Sequence, residues 1–346
     1  MPDVKNVLVI IHGMVPDRVP ISPFDQYEKF WRGLVACQRS LGNFIQKRIG
    51  VQWGHPMPEC FDLSTAGNWG YAPCASRRDD EKIFRVQETI DRQTAYEAVK
   101  ASTEPNDVLL ADNRKGEGLW WGILSRVTLR KQIVQLREET LLRGVGDVVY
   151  YIAEEARVRA VVYDQVLRGL DEFLARDDVV VRLHVVGHSL GVALTHDFLF
   201  GLFNGLKEPD FVSEESVSPE TRAKFQAWRT RARQDSPTLA LGSLTSMASQ
   251  LPLFVMRKQG MIDILYGGGS LNPLDIGVQP DGAIHWKLFY EVDDRLGYAT
   301  RRLDSPRDAI RDFEVAFSAH PSEAHTGYWN DPLVWKETAL LMLSNQ

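Results

Sequence analysis

Several short stretches of the chain are apolar at every position, and each is followed by apolar residues at helical spacing. "NVLVIIHGM" (6–14) is such a run, rich in β-branched residues and ending in His-Gly. A strand buried on both faces of a parallel sheet has this signature, because neither of its faces can be polar. Residues 22–45 follow with apolar positions near helical spacing at Phe30, Leu34, Cys37 and Leu41, and "RIGVQWG" (48–54) reads as a second strand. The pattern resumes with "GDVVYYI" and with a helix over 157–176, whose apolar stripe is Val158, Val161, Val162, Val166 and Leu170. "VVVRLHVVGHS" (179–189) predicts a strand and 190–203 a helix. Apolar strand character returns over 239–256 and again over "HWKLFYEVDD" (285–294), and 331–344 closes as an amphipathic helix. Strands alternating with helices define an α/β protein with a mainly parallel central sheet flanked by helices.

Two regions interrupt this alternation. Residues 55–145 hold a Pro- and Gly-rich portion, a charged helical portion and the segment "GEGLWWGILSRVTLRKQIVQLREETLL". They are expected to form an insertion on the sheet, partly helical. Residues 207–238 are dense in charge and read as a surface excursion containing a solvated helix, and 267–282 is a loop by its Gly, Pro and Asn content.

Composition narrows the class without naming a chemistry. A length of 346 residues is enough for a large core, and 44% hydrophobic with 25% charged residues is ordinary for a globular protein. The net charge of −6 argues against a polyanionic partner such as nucleic acid. The three cysteines, Cys37, Cys60 and Cys74, are few and not in metal-ligand spacing, which suits a reducing compartment. The N-terminal apolar run lacks a small-residue cleavage site, and no stretch approaches the roughly 18–20 apolar residues of a membrane span. The expectation is a cytoplasmic protein without a transmembrane segment.

The chemistry concentrates in Gly187-His188-Ser189-Leu190-Gly191, placed where a predicted strand gives way to a predicted helix. A serine at such a turn is held in a strained backbone conformation between small neighbours, with its hydroxyl clear of the sheet. The helix start behind it favours negative charge. A hydroxyl is a poor nucleophile at neutral pH and needs a base. On a doubly wound hydrolase scaffold the chain order is serine, acid, histidine. His12, His55, His184 and His188 precede Ser189, His196 lies on the following helix, and His285 precedes the best acid. His320 and His325 remain. His325, in "SAHPSEAHTGYWND", sits in a small polar loop just before the last helix and is preferred, since His320 is held against Pro321. The acid belongs just beyond a late strand. Asp294 is the choice, with Asp293 beside it and Asp263, after the previous strand, as competitors. Donors for a developing oxyanion are expected from the backbone N–H of Leu190 and of Met14, which ends the loop after the first strand.

The pieces "VLVIIHGM", "VVGHSLG", "FYEVDDRLGY" and "AHTGYW" resemble those of serine hydrolases of the α/β-hydrolase fold, closest to the lipase and carboxylesterase branch. They span nearly the whole chain in the expected order. The resemblance implies a Ser189–Asp294–His325 triad, an oxyanion hole at Met14 and Leu190, and hydrolysis of a small-molecule or lipid-like carboxylic ester without a cofactor. It also implies one α/β-hydrolase domain over 1–346, with 55–145 as a cap- or lid-like insertion. Thioester, amide or acyl-transfer chemistry, or a silent binding scaffold, would use the same fold. Two features depart from the resemblance. Residues 55–145 have no counterpart, and no proline follows Asp294 in Asp294-Arg295-Leu296-Gly297.

Other signals are bland. His188, His196 and Asp197 are better explained as neighbours of the turn than as metal ligands, so no metal is expected. Gly267-Gly268-Gly269 lacks the Lys-Ser/Thr of a phosphate cradle. Trp120 and Trp121 are candidate acyl-chain or lipid-surface contacts within the insertion, or part of its packing on the core.

Overall fold

Continuous apolar strands and striped helices assemble as the alternation predicts. The structure, a computed structural model, describes residues 3–13, 23–53, 65, 67–70, 155–176, 178–204, 217–255, 259–266, 271, 273, 285–292, 294, 297–300, 310–316 and 321–344. All of these fall within the compact unit formed by Met1–Arg77 and Glu154–Gln346. The strands are β1 (Asp3–Ile11), β2 (Ile45–Val51), β3 (Val179–His188), β4 (Leu239–Met247), β5 (Trp286–Tyr290) and β6 (Ile310–Glu314). They form one sheet in the order β2-β1-β3-β4-β5-β6, with every pairing parallel. The chain leaves β1 for β2 on one side and returns to β3 on the other. That reversal lies at the carboxyl ends of β1 and β3, the usual place for a ligand in such sheets.

Helices cover both faces. α1 (Pro23–Cys37) and the C-terminal helix, here α9 (Pro332–Ser344), share one core with alternate strand residues Leu8, Ile10, Val186, Met247 and Phe289. α3 (Glu155–Leu174), α4 (Leu190–Phe203) and α5 (Pro219–Arg233) lie together on the other face. Side chains of a strand alternate between faces, and β2 shows it. Gly50 leaves room for Phe24 and Tyr27 of α1, while its neighbour Ile49 fills the space left by Gly169 of α3. Short α2 (Leu41–Phe44), α6 (Leu251–Val255), α7 (Gln259–Tyr266) and α8 (Pro321–Thr326) complete the described helices.

Four features differ from the sequence reading. The helix expected to be solvated within 207–238 is α5, which buries Phe225, Trp228 and Ala232. Phe225 meets Tyr163 of α3 and Phe198 of α4 at ring separations of 6.2 and 6.1 Å. Its charge misled because Arg231 is an interior group. The guanidinium donates to the carbonyls of Phe173 (2.8 Å), in the last turn of α3, of Arg176 (3.0 Å), between that turn and β3, and of Val179 (2.9 Å), at the start of β3. The apolar run 239–256 is a strand only to Met247 and then turns into α6. Part of the span read as insertion belongs to the sheet edge. Trp69 is fully buried, its carbonyl accepts from Gly50 N–H (2.9 Å), and its ring lies 5.5 Å from Tyr27. Finally, β6 and α7 were not anticipated. "GDVVYYI" and the remainder of 55–145 lie outside the described residues.

Candidate active site

The turn after β3 is built by close approach of backbone to backbone. Ser189 has φ 54° and ψ −128°, a conformation that costs an L-residue about 1–3 kcal/mol and persists only where the surroundings enforce it. Here its N–H donates to Met247 O (2.8 Å) and its carbonyl accepts from Val192 N–H (3.0 Å). A Cβ on Gly191 would fall 2.4 Å from Ile11 O and 2.5 Å from His12 O, so only glycine lets α4 start this close to the end of β1. A Cβ on Gly13 would fall 2.6 Å from Ser189 Cβ. The β1 loop therefore lies directly against the serine. Tyr27 fixes that loop: its hydroxyl accepts from His12 N–H (3.1 Å) and donates to Val51 O (2.7 Å). His12 is structural, donating from Nδ1 to Gly13 O and stacking on Trp53, whose Nε1–H donates to His12 O (2.8 Å).

Three side chains from three parts of the chain meet at this turn. His325 Nε2 lies 2.8 Å from Ser189 Oγ, and His325 Nδ1 lies 2.9 and 3.1 Å from Asp294 Oδ1 and Oδ2. A carboxylate on Nδ1 leaves Nε2 as the acceptor for the serine proton. Ser189 and Asp294 are 6% and 3% exposed, whereas the His325 side chain is 19% exposed. His325 is thus the group of the three nearest to solvent. His325 was expected in a loop; it lies in the last turn of α8, immediately before a 3₁₀ turn over Gly327–Asn330. Tyr328 and Trp329 of that turn are buried in the α1/α9 core, with Trp329 5.5 Å from Phe30. The aromatic pair in "GYW" is what anchors the histidine.

Asp294 stands in the turn after β5, its N–H bonded to Glu291 O (3.1 Å) and its carbonyl to Gly297 N–H (3.1 Å). Gly297 is needed there, since a Cβ would meet Asp294 Oδ2 at 2.6 Å. A second donor reaches the carboxylate: Tyr328 O–H bonds Oδ2 (3.1 Å) while accepting from Glu291 N–H (2.8 Å). Burial first, and the adjacent Asp294 charge second, raise the Tyr328 phenol far above its usual range, so it remains a donor. Asp263, the competing acid, is exposed on α7. Asp293, His320, Met14, Trp120 and Trp121 lie outside the described residues. Leu190 opens α4 directly after Ser189, so its N–H is among the donors that a helix start leaves without intrahelical partners.

His188, read as a bland neighbour, is the last residue of β3 and donates from Nε2 to His325 O (2.8 Å). The strand that precedes Ser189 thereby holds the His325 main chain. Burial, and then the nearby His325, lower the His188 pKa to about 3, so it is a neutral donor. His184, four residues earlier, bonds Ser243 Oγ (2.9 Å) and Asn6 Oδ1 (3.3 Å), and burial with Arg182 lowers it likewise to about 3. Both histidines regain an ordinary pKa near 6.5 when unfolded. The unfolded chain then binds more protons than the folded one between about pH 6.5 and 3, so stability falls as pH falls through that window. Between pH 7 and pH 5 the two together should remove about 3–4 kcal/mol. Urea unfolding at the two pH values checks this, and His184→Gln should reduce the difference by about half of the pair's contribution, while buried His285, lowered in the same direction, keeps its own.

Among the described residues no cluster of His, Cys, Asp and Glu has the arrangement of a metal site, and no helix is long and apolar enough to cross a membrane. Comparison of the chain with protein-family models, with curated proteins and with solved structures finds no match to any of them.

Proposed function

We propose that the chain is a serine hydrolase of the α/β-hydrolase fold that cleaves a carboxylic ester through an acyl-enzyme on Ser189. The observation that carries this reading is the continuous relay Ser189 Oγ–His325–Asp294, at 2.8 and 2.9 Å, on a positive-φ turn at the sheet's topological reversal. His325 Nε2 takes the hydroxyl proton as Oγ attacks the ester carbon, then returns it to the departing alcohol. Water repeats the sequence on the acyl-enzyme and releases the acid. Asp294 fixes the tautomer and balances the imidazolium charge. The Leu190 N–H at the start of α4 faces the charge that develops on the carbonyl oxygen. The remaining donor is proposed at Met14 and acyl-chain contact at Trp120 and Trp121, following the resemblance of "VLVIIHGM" and the apolar character of "LWWGIL".

A panel of p-nitrophenyl esters of rising chain length, with a matched thioester and anilide, tests the reaction class. The ester is expected to turn over, with an initial burst of nitrophenolate. Turnover of the thioester alone would move the substrate class, and no turnover of any member would contradict the proposal.

A further inference from the structure

Among the described residues one polar side chain besides His325 reaches Ser189 Oγ. Gln250 Nε2 lies 3.2 Å from Ser189 Oγ, the side chain is 3% exposed, and its Oε1 is buried without a hydrogen-bond partner among the described residues. The backbone that presents it is strained. Ala248 has φ 51°, its N–H tied to Phe289 O (3.1 Å), and Ser249 O accepts from Tyr298 N–H (2.8 Å). Strain of this kind collects at functional sites. Packing alone does not call for an amide here, because a methionine would fill the space and leave no oxygen unsatisfied.

The direction of the hydrogen bond follows from proton counting. Ser189 has one hydroxyl hydrogen, and His325 Nε2 takes it. Oγ can therefore only accept from Gln250, which sets the amide with its NH₂ toward the serine. We infer that Gln250 is a further catalytic residue, donating to Ser189 Oγ and assisting its departure during hydrolysis of the acyl-enzyme. The inference rests on the serine-hydrolase reading above.

The benefit is unequal. In the resting enzyme Oγ is a hydroxyl and already a good acceptor, so the bond gains less as acylation begins. In the acyl-enzyme Oγ is an ester oxygen and a weak acceptor. Water attacks the acyl carbon and gives its proton to His325. The C–Oγ bond then breaks, its electron pair goes to Oγ, and His325 Nε2–H delivers the proton there. Negative charge gathers on Oγ in this step as it does, in reverse, when Oγ attacks, but here it starts from the poorer acceptor. The Gln250 bond therefore strengthens most between the acyl-enzyme and its transition state, which is the condition for lowering that barrier.

Stopped-flow hydrolysis of p-nitrophenyl butyrate by Gln250→Met tests the assignment. The expected result is a kcat lower by about ten- to a hundredfold, less than the loss of a full oxyanion donor. KM should fall in the same proportion, leaving kcat/KM within about threefold. The nitrophenolate burst should persist and be followed by a slower steady state, while Ser189 still reacts with a fluorophosphonate. Gln250→Leu removes the amide at similar bulk without adding a charge or an acceptor and should show the same split. It stands in if the methionine variant does not fold. An unchanged kcat, or a kcat/KM that falls as far as kcat, would overturn the assignment. Absence of fluorophosphonate labelling in the unaltered chain would overturn it together with the serine-hydrolase reading.

Discussion

His325→Ala is expected to abolish ester turnover in practice, with a loss on the order of 10⁶ in kcat, the scale seen when a triad base is removed elsewhere. Without Nε2 at 2.8 Å the Ser189 proton has no basic acceptor, because the Gln250 amide, the other group within reach of Oγ among the described residues, is not a base. The fold should survive. The group that His188 holds is the His325 carbonyl, which alanine retains, and the anchoring aromatics Tyr328 and Trp329 are untouched. Rates on p-nitrophenyl butyrate, with thermal unfolding on the same preparation, separate loss of chemistry from loss of structure. Activity within tenfold of the unaltered chain would place the base elsewhere, with His320 the next residue to replace.

Asp294→Asn should lower kcat by roughly 10⁴ with the fold intact. The carboxylate accepts from His325 Nδ1–H and from Tyr328 O–H. An asparagine offers one acceptor oxygen and one NH₂ donor in the same space. If the oxygen turns to Tyr328, the NH₂ faces Nδ1 and drives the imidazole into the tautomer protonated on Nε2. That nitrogen then presents a donor to Ser189 and cannot take its proton. Because His325 remains in place, the loss should be smaller than for His325→Ala and should lessen as pH rises. Asp263→Asn, on exposed α7, serves as the control and should leave kcat near that of the unaltered chain. The opposite pattern would move the acid one strand earlier.

Ser189 was legible as the candidate nucleophile because its signal is local. Ser189, its flanking glycines and the change from apolar run to helix occupy one short segment, and the strain at Ser189 follows from that segment crossing the end of β1. Asp294 and His325 were legible through chain order and strand ends, but not through their surroundings. Tyr328 and His188 complete the site by contacts across 34 and 137 residues of sequence, and nothing in either residue's neighbourhood announces a partner. Gln250 was hidden in an apolar stretch that read as strand, since the break at Ala248 carries no glycine or proline. Helix α5 was misjudged for the converse reason. Charge density counts arginines as solvated, while Arg231 is held inside by carbonyl groups from the end of α3 to the start of β3. The strand–helix alternation survived these errors because period and apolar runs depend on burial, which the pattern records directly.

The central claim is that Ser189 is an activated nucleophile, and covalent capture tests it most directly. The chain should be incubated with a fluorophosphonate at neutral pH, digested, and the modified peptide sequenced by mass spectrometry. The account predicts one adduct per chain on Ser189, prevented by Ser189→Ala and strongly slowed by His325→Ala. No adduct, or an adduct on another residue that persists in Ser189→Ala, would contradict it.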